Sequence, residues 1–190
     1  MGRIILTGGI ASGKSTVVEK LIAKGIVVID SDVISRNIFT RNIPTIQKMF
    51  DTTLKGKKLR KYVGDIIFAN PRMKMQLEAF MHPKIRNVIK TRERALKGMV
   101  HVIDMPLYFE TKHFLSDDYV ILVTVPYKIQ LERLMKRNNF TKDEANARIM
   151  SQLPTAIKEK KSDYIIENKG ALRTLQAKVN KMIKTVFEKD

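Results

Sequence analysis

The chain has 190 residues, 44% hydrophobic and 29% charged, enough apolar material for a core and too much for a disordered chain. It carries no cysteine, which excludes disulfides and thiolate metal ligation, and its three histidines, His82, His101 and His113, are too dispersed for a zinc site. A formal charge of +17 favours anionic partners, but the basic residues are spread in runs such as 55–61, 84–97 and 158–161 with no interleaved aromatic platform. Those runs read as solvated surface, and nucleic acid is not an expected partner.

No apolar run reaches the length of a bilayer span, and the first residues enter a strand pattern without a leader signature. A cytoplasmic protein without a membrane partner is expected, as a monomer or weak homo-oligomer. Five short apolar runs, at 3–7, 26–30, 99–104, 119–125 and 163–166, read as strands. Most are continuous rather than alternating, as in strands covered on both faces. Helical patterns separate each strand from the next, which predicts an α/β fold with a mainly parallel sheet between helical layers.

After the first strand comes Gly8-Gly9-Ile10-Ala11-Ser12-Gly13-Lys14-Ser15, a match to G-x-x-x-x-G-K-[ST] between a strand and a helix. Glycines let backbone N–H groups turn inward on phosphate oxygens, and the helix that follows adds its positive end. The motif implies an ATP site from Gly8 to Thr16, with Lys14 on the β and γ phosphates and the Ser15 hydroxyl on Mg²⁺. The first helix is expected over 13–23, with Val17, Val18, Leu21 and Ile22 on its buried face.

The second strand ends in Asp30-Ser31-Asp32 and the third in Asp104. Ligands of open α/β sheets bind beyond the carboxyl ends of the strands, so these carboxylates are expected to face the nucleotide. Asp32 is the candidate base for an acceptor hydroxyl, Asp30 the weaker one, and Asp104 the carboxylate behind Mg²⁺. Residues 33–98 hold no strand pattern and read as a helical acceptor-binding insertion in a single domain of 1–190, punctuated by Pro44, Gly56, Gly64, Pro71 and Pro83. Residues 127–152 read as a helical hairpin, its second helix opened by a Thr141–Glu144 capping box. Arg133, Arg137 and Arg148 on that hairpin make it a candidate lid that stabilises charge on a transferring phosphoryl group. A final helix from about Ala171 carries Leu172, Leu175, Val179, Met182 and Val186 on its inner face.

Taken together, these residues resemble the dephospho-CoA kinase family. The resemblance runs through Leu6-Thr7-Gly8-Gly9-Ile10, Ile29-Asp30-Ser31-Asp32, His82-Pro83-Lys84-Ile85-Arg86, Pro106-Leu107-Tyr108-Phe109-Glu110, the lid residues Gln130, Arg133, Arg137 and Gln152, and Asn168 with Gly170. It implies a P-loop kinase core, an ATP and Mg²⁺ requirement, and dephospho-CoA as acceptor. By resemblance Asp32 is the catalytic base, and Lys14 and Arg137 handle phosphate. His82, Arg86, Pro106, Leu107, Phe109 and Glu110 border the acceptor pocket, with Leu107 and Phe109 as apolar surface, and Asn168 borders adenine. Ala11 stands where the family carries glycine, and a negative φ would accommodate its methyl. The family's acidic stretch is replaced by Lys55-Gly56-Lys57-Lys58-Leu59-Arg60, and the insertion is shortened around 40–53. A different P-loop small-molecule kinase and a nucleic-acid-stimulated ATPase are the competing readings.

Overall fold

A computed structural model describes residues 3–111 and 118–187. His113, assigned no role from the sequence, lies outside the described residues. The chain divides into two compact units: residues up to Asp30 together with those from Gly98 onward, and Ser31–Lys97.

The first unit is built on a parallel sheet of five strands: β1 (Ile4–Gly8), β2 (Val27–Asp30), β3 (His101–Asp104), β4 (Tyr119–Thr124) and β5 (Tyr164–Glu167). Their spatial order is β2-β3-β1-β4-β5, so β1 lies at the centre. All five runs predicted as strands form, with ends moved by one or two residues. Around the sheet are α1 (Lys14–Ala23), α6 (Tyr127–Asn138), α7 (Lys142–Met150), α8 (Thr155–Glu159) and α9 (Leu172–Phe187).

Side-chain alternation explains why β1 tolerates no polar face. Ile4 and Leu6 join Val102, Ile121, Val123 and Ile166 in a core closed by Val17 and Leu21 of α1 and by Leu175, Val179, Met182 and Val186 of α9. Ile5, Ile103 and Leu122 are fully buried as well. Two expected core residues are not in it: Ile22 is 58% exposed and Leu172 59% exposed. Each lies at the margin of its apolar stripe, where only tertiary packing decides whether a side chain is covered. The expected helix between β3 and β4 is not found among the described residues. The chain instead turns after Asp104, with Tyr108 N–H donating to Met105 C=O at 3.3 Å and Thr111 N–H to Leu107 C=O at 3.1 Å.

The second unit contains α2 (Ser31–Arg41), α3 (Ile43–Met49), α4 (Gly56–Ala69) and α5 (Pro71–Ala95). Within it α2 and α4 pack on α5, and Ile34, Ile38, Leu59, Val63, Leu77, Met81 and Ile89 are buried. Pro71 opens α5, where the missing N–H is harmless, and Asn70 caps it by accepting from Arg72 N–H at 3.0 Å and Met73 N–H at 3.1 Å. Gly64 and Pro83, expected to punctuate this region, lie inside continuous helices. The turns on both sides of Pro83 carry α5 through the one hydrogen bond that proline cannot make.

Candidate active site

β1 delivers the chain to Gly8, and the loop that follows closes on α1. Ser12 N–H donates to Gly9 C=O and Thr16 N–H to Gly13 C=O, each at 3.1 Å. Gly13 is left-handed at φ 89°, and a Cβ there would stand 2.2 Å from Asn168 Nδ2, so both backbone and space demand glycine. Ala11 has φ 57°, so the condition under which its methyl would be accommodated without strain, a negative φ, is not met. The methyl costs about 1 kcal/mol in this conformation. Ala11 and Ile10 pack against Leu131, Leu134 and Ala145 of the helical hairpin, which offsets part of that strain. No acidic residue occupies the first turn of α1, leaving its positive end unopposed for an anion.

Leu6 is in register with Asp104, and Asp104 with Asp30. Register partners point to the same side of a parallel sheet, so both carboxylates lie on the face covered by α1. Lys14, the first residue of α1, donates from Nζ to Asp104 Oδ1. Asp104 is buried, and the strand end therefore supplies a fixed negative partner for the loop lysine.

Three amide side chains hold the loop from outside. Gln152 Oε1 accepts Ile10 N–H at 2.9 Å, and Gln130 Nε2 donates to Ile10 C=O at 2.8 Å. Asn168 Nδ2 donates to Ser12 C=O at 2.8 Å. Asn168 is buried in this role. Ser12 Oγ is buried and has no hydrogen-bond partner among the described residues. In the sequence Gln130 and Gln152 stand out only by resemblance to a family, because no local pattern marks a glutamine as a loop support.

The hairpin forms as expected. Thr141 N–H donates to Glu144 Oε2 at 2.8 Å, and Glu144 N–H to Thr141 Oγ1 at 3.3 Å, closing the capping box that starts α7. Arg133 is half-buried, its Nη1 3.9 Å from where a Cβ on Gly13 would lie. Arg137 is exposed, with Nε donating to Asn138 Oδ1 at 2.9 Å, and Arg148 is exposed on α7. The geometry thus sets Arg133 of the hairpin beside the loop.

The family profile described as CoaE, dephospho-CoA kinase, matches residues 3–174. The chain belongs to the dephospho-CoA kinase family. A dephospho-CoA kinase of Bacillus licheniformis is 41% identical over 189 residues, covering 95% of this chain and 94% of that protein. The solved dephospho-CoA kinase from Campylobacter jejuni superposes with a TM-score of 0.76 at 31% identity, covering 98% of this chain and 97% of that one. The structure of TT1252 from Thermus thermophilus gives a TM-score of 0.86 at 27% identity, covering 97% and 98%.

As a dephospho-CoA kinase family member, the protein is a phosphotransferase with a P-loop kinase fold. The segment expected to border its acceptor is tied down in several places. Pro106 C=O accepts from Thr7 Oγ1 at 3.1 Å. Tyr108 is buried and donates to Asp118 Oδ2 at 2.8 Å, and Asp118 also takes a bidentate bond from Arg3. Leu107 is 47% exposed, whereas Phe109 is buried and offers no apolar surface. Glu110 Oε1 accepts Leu153 N–H at 3.1 Å and pairs with Lys158 Nζ at 2.6 Å. Lys158 belongs to a basic run read as solvated surface, yet it is 2% exposed.

In the second unit, Asp32 is exposed in the first turn of α2, two residues beyond the end of β2. His82 is half-buried and Arg86 exposed, one helical turn apart on α5. His101 sits at the start of β3, with Nδ1 3.0 Å from Met99 C=O. The hydrogen bond from Lys169 holds the Glu167 carboxyl below its usual range, and burial, then Asp163 and Tyr164, raise the Tyr119 hydroxyl above 10.0.

Proposed function

We propose that the chain carries out its family's reaction, moving the γ-phosphoryl group of ATP to the ribose 3′-hydroxyl of dephospho-CoA, through the residues assigned below. The observation that carries this assignment is the loop itself: an anion-ready helix end, a left-handed Gly13 and a lysine held by a strand-end carboxylate.

In this reading the amides of Gly8 to Thr16 cradle the phosphates, and Lys14 exchanges the Asp104 carboxylate for a phosphate oxygen as ATP binds. Asp32 orients the incoming hydroxyl and takes its proton as the new P–O bond forms. Arg133 and Arg137 offset charge spreading over the transferring group as the hairpin closes and excludes water. His82, Arg86 and the 106–110 segment contribute to acceptor binding. Leu107 is the exposed apolar member of that segment, and Phe109 and Glu110 shape it from within.

Mg²⁺ is the expected metal, held by Ser15 and, through water, by Asp104. No group of three or more His, Cys, Asp or Glu suited to a metal ion occurs among the described residues. That donor set suits an ion that takes most of its ligands from phosphates and water. Bound there, Mg²⁺ neutralises charge on the β and γ phosphates. No helix among the described residues is long and apolar enough to cross a membrane. We take the protein to act in the cytoplasm on a small molecule, without nucleic acid, as a monomer or weak homo-oligomer.

The test is ADP release from ATP with a panel of acceptors: dephospho-CoA, shikimate, nucleosides, nucleoside monophosphates and sugar acids. The reading expects turnover with dephospho-CoA alone, abolished by EDTA and restored by Mg²⁺. Turnover on another acceptor with none on dephospho-CoA would overturn it.

A further inference from the structure

Behind the phosphate loop lies a buried polar cluster whose lysine the reaction as assigned does not use. A small cavity is lined by Gly9, Ser12, Thr124, Gln130, Thr155 and Lys158. Lys158 reaches it from α8 and is nearly inaccessible to solvent, a position lysine takes only when paired. Its partner Glu110 comes from the turn after β3, and the same oxygen, Oε1, that takes the lysine also accepts Leu153 N–H. Leu153 directly follows Gln152, whose Oε1 accepts the Ile10 amide of the loop. Ile10 is held on its carbonyl side by Gln130. One residue of the loop is thus gripped through both its N–H and its C=O, from both ends of the hairpin, and the distal grip is fixed through a single carboxylate.

We propose that Glu110 is a positioning residue for the phosphate loop, acting through Leu153 and Gln152, and that Lys158 holds the Glu110 carboxylate in place for that task. This assigns Glu110 a role in nucleotide binding in addition to its expected place in the acceptor segment. The inference rests on the reading that this loop holds the phosphates of ATP. Its physical basis is that anion binding by backbone amides needs them pre-aligned; if Ile10 turns freely, the alignment must be established at the expense of binding.

Removing one member of a buried ion pair leaves the other uncompensated and threatens the fold, so the informative variants remove both charges. Glu110→Gln/Lys158→Met keeps a carbonyl oxygen for Leu153 N–H, whereas Glu110→Ala/Lys158→Met does not. Gln152→Met cuts the last link and leaves the ion pair intact. ADP affinity is measured by calorimetry on the full chain, with circular dichroism to establish folding and KM for dephospho-CoA measured alongside. The Gln/Met variant is expected to bind ADP within about twofold of wild type, and the Ala/Met and Gln152→Met variants about tenfold more weakly, the loss of roughly one hydrogen bond. In Gln152→Met, which lies outside the acceptor segment, KM for dephospho-CoA should stay within about twofold, which a general loosening of the fold would not produce. Wild-type ADP affinity in Gln152→Met overturns the proposal even if neither double variant folds, as does equal ADP affinity in the two double variants. Failure of the wild-type protein to bind ADP would instead overturn the reading of the loop.

Discussion

Asn168 Nδ2 donates to the Ser12 carbonyl at 2.8 Å, and the same nitrogen lies where a side chain on Gly13 would have to go. One buried amide from the end of β5 therefore fixes the loop's shape and makes its glycine obligatory. The loop is a strand-to-helix turn in sequence, but its geometry is held by a residue 156 positions away.

Gly13→Ala puts a methyl 2.2 Å from Asn168 Nδ2 at a φ of 89°. The loop must open, Asn168 must withdraw from Ser12, or both. The expected cost is about 1–3 kcal/mol of stability with loss of ADP binding. Thermal melting and ADP titration measure the two effects, and an unchanged ADP affinity would contradict this account of the loop.

Lys14→Ala and Asp32→Asn separate binding from chemistry. Lys14→Ala removes the proposed phosphate ligand and leaves Asp104 without its lysine, so both ATP affinity and kcat should fall. Asp32→Asn keeps size and polarity in the exposed first turn of α2, so the fold and ADP affinity should survive. Its kcat should drop by about 10²–10⁴, the range for loss of a general base. Near-normal turnover in Asp32→Asn would remove Asp32 from the mechanism.

Ala11→Gly tests the strain at φ 57°. Glycine relieves about 1 kcal/mol of left-handed strain but raises unfolded-state entropy by a comparable fraction and forfeits the methyl's packing. A net change within about 0.5 kcal/mol is expected in urea unfolding. A loss of more than about 2 kcal/mol would mean that the methyl's contact with the hairpin outweighs the strain.

Tyr119 gives the protein an alkaline signature. Burial, followed by the Asp163 and Tyr164 charges, raises its hydroxyl above 10.0 in the folded state. Between the unfolded and folded values the native state binds more protons than the unfolded one, so stability falls as pH rises. The contribution is fully present below pH 10 and is lost above it. Tyr119→Phe should therefore flatten the decline of unfolding free energy above about pH 10 relative to wild type, while leaving the neutral-pH slope unchanged. Parallel curves for the two proteins up to pH 11 would show that Tyr119 titrates normally.

The sequence by itself determined the elements whose signals are local. A glycine-lysine-serine spacing between an apolar run and a helix specifies the phosphate loop, because backbone freedom, a helix end and a cation all come from neighbouring residues. The capping box at Thr141 and Glu144 is legible for the same reason. Tertiary structure decided what distant partners decide. Lys158 reads as one more surface lysine until Glu110 is brought to it; Ile22 and Leu172 read as core until the edges of the packing leave them in solvent. Pro83 reads as a break until a helix long enough to absorb it forms on both sides. Asp104 meets Lys14 only because parallel pairing sets it in register with Leu6, on the face that α1 covers. A local pattern carries its own energy, whereas burial and pairing depend on the fold that supplies the other partner.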